Sequence, residues 1–347
     1  MPSKHPTREE LTQFPMEQLD LSRIETVRGL VEAMRRTSFQ SRTLSMCAAV
    51  YENMAEDPKC TIFVGAAGAL IPGGMRKVLR DLVERGFVDV IVTTGAIAYH
   101  DWYEAHGYRH YLSSPDADDL LLRKHLLDRV YDTLADEARF REIDAEVSDI
   151  ADAMEPRPYS SREFLAHVGK MYADPNSLVY TCAKNGIPYF VPALNDSSFG
   201  IALTKHYMEN SKAGTEPMRI DPIRDNYEIT QIVAKSAETG VFYIAGGTPK
   251  NYISQTAVLE EVLGMPDKPH RYAAQITTDV PHWGGLSGCT FEESQSWGKF
   301  HKDAKMAQCI VEATIGLPLI AGYLLDGGRK RKRRKFTWKG DTLVSVS

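Results

Sequence analysis

The sequence predicts an α/β fold: a doubly wound, mostly parallel sheet with helices on both faces, built as a single large domain. Three observations predict it. Short apolar runs alternate with helical spacings along most of the chain, the runs end in glycine-bearing turns, and no Asn-Gly-type hairpin signal joins the runs into antiparallel pairs.

Residues 1–45 read as an N-terminal helical extension, with Thr7-Arg8-Glu9-Glu10 leading into an amphipathic helix that carries Leu30, Val31 and Met34 on one side. The alternation then begins. Cys60 to Ala66 is an apolar run ending among glycines, Met75 to Arg85 has helical spacing stopped by Gly86, and Val88 to Thr94 reads as a second buried strand. A long helical stretch is expected from Asp118 to Met154, closed by Pro156 and Pro158, before a capping-box pattern at Ser160-Ser161-Arg162-Glu163. Further strands are expected at Pro188–Leu194, Val241–Ala245 and Ala273–Thr278, and helices near 162–174, 226–239 and 249–264. Residues 46–327 thus form the α/β body, and 328–347 a loose basic tail.

With 347 residues, 43% hydrophobic and 25% charged, the chain has the make-up of an ordinary soluble globular protein. No run approaches the roughly 18 apolar residues of a membrane span, and the start around Lys4, Arg8, Glu9 and Glu10 does not resemble a signal peptide. A cytoplasmic location follows. Cys47, Cys60, Cys182, Cys289 and Cys309 are scattered without C-x-x-C spacing, and the ten histidines show no H-E-x-x-H pairing, so neither disulfides nor a metal site is expected. The net charge of −5 hides seven consecutive basic residues, Arg329 to Lys335; without them the chain carries −12. An acidic body suits a cationic substrate. The basic run is read as a solvated tail in preference to a nucleic-acid contact, although Phe336 and Trp338 lie close by.

In an open α/β sheet, ligands settle outside the carboxyl ends of the strands. Four such ends stand out. Gly65-Ala66-Ala67-Gly68-Ala69 with Gly73-Gly74 is either a phosphate turn or a small-residue turn for close packing. Thr93-Thr94-Gly95-Ala96 precedes Ala98-Tyr99-His100-Asp101, where a histidine beside an aspartate can move protons. In Ala245-Gly246-Gly247-Thr248-Pro249-Lys250-Asn251, Thr248 can cap a helix whose first residue is Pro249. Pro192 to Gly200 carries Asp196 at its tip, placed to hold a hydroxyl or an amine. A further candidate is Lys299 in Ser296-Trp297-Gly298-Lys299. A lysine partly desolvated beside an indole loses some preference for its charged form, and the neutral amine attacks an imine or carbonyl carbon. A buried ring with a snorkelling lysine is the commoner arrangement.

These pieces, in this order, resemble the deoxyhypusine synthase family from about Ser38 to Pro318. The motifs that carry the likeness are Val88-Asp89-Val90-Ile91-Val92-Thr93-Thr94, Pro192-Ala193-Leu194-Asn195-Asp196, Gly246-Gly247 with Lys250, and Glu293 through Ser296-Trp297-Gly298-Lys299. The resemblance implies a Rossmann-like domain, a homotetramer with active sites at dimer interfaces, and NAD as cofactor. It further implies a redox-neutral transfer: hydride leaves the carbon beside the secondary amine of spermidine, Lys299 captures the imine, diaminopropane departs, an acceptor amine displaces the lysine, and the hydride returns. The acceptor is a protein lysine in the hypusine branch and putrescine in related homospermidine synthases.

By the same resemblance, Gly68, Ala69, Thr94, Gly95, Asp196, Gly246, Gly247, Thr278 and Glu312 fall where the family contacts NAD. Gly68 and Ala69 replace a Ser-Asn pair, and Glu312 replaces an Asp. Trp297, Glu293, Ser287, Lys250 and Asn251 fall in the polyamine pocket with Lys299, Asn251 standing for a histidine. Two amine-binding aspartates appear as Ile201 and Leu286, each removing a charge-assisted bond of about 1.5–3 kcal/mol. His100 stands where eukaryotic members have Glu, which implies either a different proton carrier, His100 itself, or a different amine. The pattern looks like the bacterial deoxyhypusine-synthase-like branch, and the alternatives it leaves open are a small-amine acceptor or an NAD- and polyamine-binding homologue with impaired turnover.

Overall fold

In the computed structural model, which describes residues 5–347, a central sheet is formed by β1 (Cys60–Ala66), β2 (Val90–Thr93), β3 (Tyr189–Phe190), β4 (Glu238–Ile244), β5 (His270–Thr277) and β6 (Phe300–Ile310). Residues 1–4 of the leading segment, Lys4 among them, lie outside the described residues. The strands pair in the order β3-β2-β1-β4-β5-β6, every pair parallel. The order therefore reverses between β1 and β4, a topological switch point of the kind at which open α/β sheets bind ligands.

Both faces are covered. Ile62, Val64, Ile91, Phe242, Ile244, Ala274 and Ile276 pack on one side with the helices Phe39–Glu56, Arg76–Glu84, Gly95–Ala105 and Ala313–Leu325. Phe63, Val90, Val92, Phe190, Val241, Tyr243 and Ala273 pack on the other, against Pro222–Lys235 and Gly247–Ser254. That two-sided burial is why β1 reads as an unbroken apolar run and why the α/β expectation holds.

Several expected elements differ in extent. The helix Phe39–Glu56 runs through residue 45, and it buries Leu44, Cys47, Ala48, Tyr51 and Met54 in the main core. The expected 226–239 helix is Pro222–Lys235, because Asp221 accepts from the amides of Ile223 and Arg224 and Pro222 begins the first turn. The 249–264 stretch is two helices, Gly247–Ser254 and Thr256–Val262. Ser160 does cap its helix, accepting from the Glu163 amide, but the helix ends at Val168. Strand β6 was not expected at all; it is an edge strand, and His301, Lys302, Asp303 and Lys305 make its first half read as polar.

The largest departure lies in residues 118–154. Only Asp119–Lys124 and Glu137–Ala153 are helical; between them Leu127–Val130 and Thr133–Asp136 form an antiparallel hairpin, and Tyr111–Leu112 adds a third strand. The turn is Tyr131-Asp132 with Tyr131 at φ 55, so no glycine or asparagine announces it.

The basic tail is packed, against the expectation of a loose one. Arg331 lies 2.8 Å from the fully buried Asp89 carboxylate and donates to the Cys60 carbonyl at 2.5 Å, while the Arg334 amide donates to the other Asp89 oxygen at 2.7 Å. Arg333 reaches the Glu84 carbonyl at 2.7 Å, and Arg329 pairs with Glu52 at 2.5 Å. Lys330, Lys332 and Lys335 alternate outward, exposed. The guanidinium fork meets several oxygens at once, which an ammonium does less well. The hairpin Phe336–Lys339 and Thr342–Val346 then buries Leu343 in the second core cluster. Among the described residues no helix is long and apolar enough to cross a membrane.

Candidate functional site

The carboxyl ends of β1 and β4, together with the loops after β5 and β6, enclose a cleft of about 760 Å³. Gly68, Ala69, Ala245, Thr278 and Glu312 line it, so four of the expected cofactor residues, Gly68, Ala69, Thr278 and Glu312, share one wall. Gly68 and Gly74 have φ of +91° and +82°, and a Cβ on either would meet nothing within 4 Å, which leaves bare backbone facing the cleft. Ala245, directly after β4, sits at φ 58, a left-handed conformation that is strained for a residue with a side chain. Its carbonyl is held by the Gln275 side-chain amide at 2.6 Å.

Glu312 caps the helix Ala313–Leu325 by accepting from the Thr314 amide at 2.8 Å. Burial alone would raise its carboxyl; the Thr314 hydroxyl and the neighbouring backbone amides more than offset that and hold it below the usual carboxylate range. Among the lining residues are two carboxylates, Asp132 and Glu312, and no lysine or arginine. Such a wall receives ribose hydroxyls on the carboxylates and leaves phosphates to backbone amides.

Gly246 and Gly247 begin the helix Gly247–Ser254, two residues earlier than the expected Thr248 cap, so Thr248 lies inside the helix. A Cβ on Gly246 would fall 2.5 Å from the Ser287 Cα, and the Gly247 amide donates to Ser287 Oγ at 2.9 Å. Here glycine serves close packing, and Ser287 pins its loop to the strand end. Gln275, a buried amide in mid-strand that sequence reasoning passed over, bonds the Ala245 and Ser287 carbonyls and Lys250 Nζ.

A second cleft of about 330 Å³ brings His100 and Asp196 together, with Asn195, Ser198 and Ile201. Thr94 is the N-cap of the helix Gly95–Ala105, and a Cβ on Gly95 would clash with Ser197 Oγ at 2.4 Å, so glycine lets the Asp196 loop approach. His100 and Asp101 lie on that helix, not on a loop, and do not act as a pair. Asp101 is buried and accepts from Arg76, Ser177 and the amides of Leu178 and Val179. The partner of His100 is His110: Nδ1 of the first lies 2.8 Å from Nε2 of the second, and His110 Nδ1 lies 2.8 Å from Glu104. A carboxylate only accepts, so His110 donates from Nδ1 to Glu104, and one proton is shared between His110 Nε2 and His100 Nδ1. Burial first, then the His110 charge, pushes His100 down to about 4, Glu104 offsetting part of the shift.

Lys299 follows Gly298, at φ 70, and immediately precedes β6. Its Nζ donates to Asn251 Oδ1 at 3.2 Å and lies 5.7 Å from the centroid of Trp297, whose ring is 65% exposed. Asn251 borders a third, polar cleft of about 270 Å³ with Thr248, Tyr252 and Gln255. The fully enclosed amine is Lys250, bonded to the Cys289 carbonyl at 2.6 Å and to Gln275 Oε1 at 2.9 Å. Burial pushes Lys250 down to about 8, and the Lys299 charge adds to that, against Cys289, the exposed Glu293 and Asp279. Lys299 Nζ has one hydrogen-bond partner and Lys250 Nζ three, so Lys299 is the less constrained amine. Within one chain, the switch-point cleft, the His100 cleft and the Lys299 neighbourhood remain three separate places.

A model of the deoxyhypusine synthase family matches residues 29–324. The chain belongs to the deoxyhypusine synthase family. It is 43% identical over 328 residues to a "Probable deoxyhypusine synthase 2" of Methanosarcina mazei, covering 93% of this chain and 94% of that one. It is 40% identical over 333 residues to a "Deoxyhypusine synthase-like protein" of Coxiella burnetii, covering 94% and 93%. A solved "putative deoxyhypusine synthase" of Entamoeba histolytica shares the fold, with a TM-score of 0.61 at 21% identity over 91% of this chain and 98% of that one. Membership in the deoxyhypusine synthase family places the chain among the aminobutyl transferases.

Proposed function

We propose that this deoxyhypusine synthase family member is an NAD-dependent transferase that moves an aminobutyl-type group from a spermidine-like donor to an acceptor amine through an imine on Lys299. The observation that carries the reading is the Lys299 amine, held by a single bond to Asn251 beside an exposed Trp297. An indole face favours a cationic alkylamine and excludes water from its carbon chain. Lys250, tied to three oxygens, holds the loop that carries Ser287 and Cys289 and contributes a second positive centre.

The switch-point cleft fits a dinucleotide: its volume, its bare glycine backbone and its two carboxylates suit ribose and pyrophosphate. NAD held there by Gly68, Ala69, Thr278 and Glu312 would supply the hydride acceptor for the donor carbon and the reductant for the final imine. His100 Nε2 and Asp196, in one cleft, are placed to hold and move an ammonium proton. The separation of these places within one chain accords with a site completed at a dimer interface of a homotetramer. Incubation with NAD and a panel of polyamines, then borohydride, is expected to add the alkylamine mass at Lys299; absence of an adduct with every amine refutes the reading.

A second reading is a homologue that binds NAD and a polyamine with impaired turnover. Ile201, 63% exposed, and Leu286, 49% exposed, favour it, since neither can pair with an extended cationic ligand. Tight NAD binding without release of diaminopropane separates the two.

A further inference from the structure

We propose that the hairpin Leu127–Asp136 is the roof of the switch-point cleft and that Tyr131, at its tip, stacks on a heteroaromatic ring of the bound dinucleotide. The inference rests on the NAD reading above and adds a residue that neither the motifs nor the resemblance singles out. Four consecutive residues, Val130 to Thr133, line the cleft together with Gly68, Ala69 and Glu312.

The tip is unlike a turn that exists only to connect strands. Tyr131 holds φ 55, a conformation that costs a residue with a side chain on the order of 1–2 kcal/mol, yet its ring is 71% exposed and gains little packing in return. Leu112 on the neighbouring strand, also lining the cleft, is 95% exposed. Two large side chains thus stand uncovered in a cleft that also presents the bare backbone of Gly68 and Gly74. A flat ring between them is covered on both faces.

The tip is braced, so the ring is presented at a set place. Arg129 clamps Asp119 through Nε at 2.6 Å and Nη2 at 2.8 Å, and its Nη1 donates to the Tyr131 carbonyl at 2.8 Å and the Pro115 carbonyl at 3.2 Å. The Ser113 amide donates to the Asp132 carbonyl at 2.8 Å. Both carbonyls of the turn are therefore tied to the subdomain. Its base is fixed by Ala135, which is buried, and by Asp136, which accepts from the amides of Ala138 and Arg139. Preorganisation of this kind lowers the ordering cost of binding.

The test is calorimetric titration of the full chain with NAD, AMP and nicotinamide mononucleotide, on the wild type, Tyr131→Phe and Tyr131→Ala, with thermal unfolding as a check of folding. Stacking predicts that Tyr131→Phe binds NAD like the wild type, and that Tyr131→Ala binds it about tenfold more weakly at unchanged melting temperature. One of the two mononucleotides should lose affinity in parallel, which tells whether adenine or nicotinamide lies under the hairpin. Wild-type binding of NAD with Tyr131→Ala within twofold of it overturns the inference and leaves the NAD reading standing. No NAD binding by the wild type overturns that reading and this inference with it.

Discussion

The two ends of the parallel sheet are built on opposite principles. At the amino-terminal edge the arginines of the tail are spent on internal oxygens: Arg331 meets Asp89 and the Cys60 carbonyl, and Arg333 meets the Glu84 carbonyl. At the carboxyl-terminal edge the backbone turns away at Gly68, Ala245 is strained, and Asp132 and Glu312 face a cleft without a lysine or arginine on its wall. The first edge is closed by charge pairing and the second is left with capacity to bind. The difference teaches that charge density in the sequence is a poor guide to the binding surface. The most basic segment of the chain is mainly structural, and the cleft has no cation at all.

The comparison is tested most strongly at two side chains with opposite duties, the amine of Lys299 and the buried carboxylate of Asp89. Lys299→Ala is expected to abolish the borohydride-trapped adduct completely while leaving the melting temperature where it was; a persistent adduct on another lysine would transfer the role. Asp89→Ala should do the reverse. It leaves Arg331 without its buried partner, which costs on the order of 3–5 kcal/mol, read by urea unfolding, with NAD affinity retained below the transition. An Asp89→Ala chain that is as stable as the wild type would show that the closed edge is not held by that pair.

Acid separates the edges less sharply, since burial acts on a histidine near each, the half-buried His100 and the fully buried His270. Burial pushes His100, near the open edge, and His270, at the start of β5, down to about 4 from an ordinary value near 6.5. Both rings are neutral when folded and protonate first when unfolded. The unfolded chain therefore binds more protons between pH 6.5 and 4, and stability falls through that window as pH drops. Each ring should contribute a loss of about 2 kcal/mol by pH 5. Unfolding curves of His100→Asn and His270→Asn between pH 5 and 7 measure the two shares; a slope unchanged in both variants contradicts the assignment. The smallest effect is expected at Ala245→Gly, where relief of the left-handed strain should raise stability by about 1 kcal/mol, visible as a higher melting temperature. A lower one would mean that the Ala245 methyl contributes more than its backbone costs.

Much of the sheet was legible because β1, β2, β4 and β5 are buried on both faces, and two-sided burial writes itself into sequence as a continuous apolar run. The strand-end glycines and Asp196 were legible as turn chemistry. Where burial is one-sided, the signal failed: β6 reads as polar because it lies at the edge, and Leu127 to Asp136 reads as helix because its turn uses Tyr131 in place of glycine. In the candidate site, the motifs marked Lys299, Asn251 and Trp297, which the fold does bring together. They did not mark Gln275, whose partners Ala245 and Lys250 are far away in sequence, or His110 and Tyr131, which stand in a loop and a turn that carry no motif.

By itself, then, the sequence determined the succession of buried strands and helices, the parallel sheet they require, and the family, since periodicity and ordered motifs are local properties of the chain. The tertiary structure alone decided that Arg331 would neutralise Asp89 rather than meet a ligand, that His100 would pair with His110 rather than with Asp101, and that a hairpin would line the switch-point cleft. Those outcomes depend on which distant groups come within 3 Å of each other in a dry interior. There an unpaired charge or polar group costs more than any local propensity supplies.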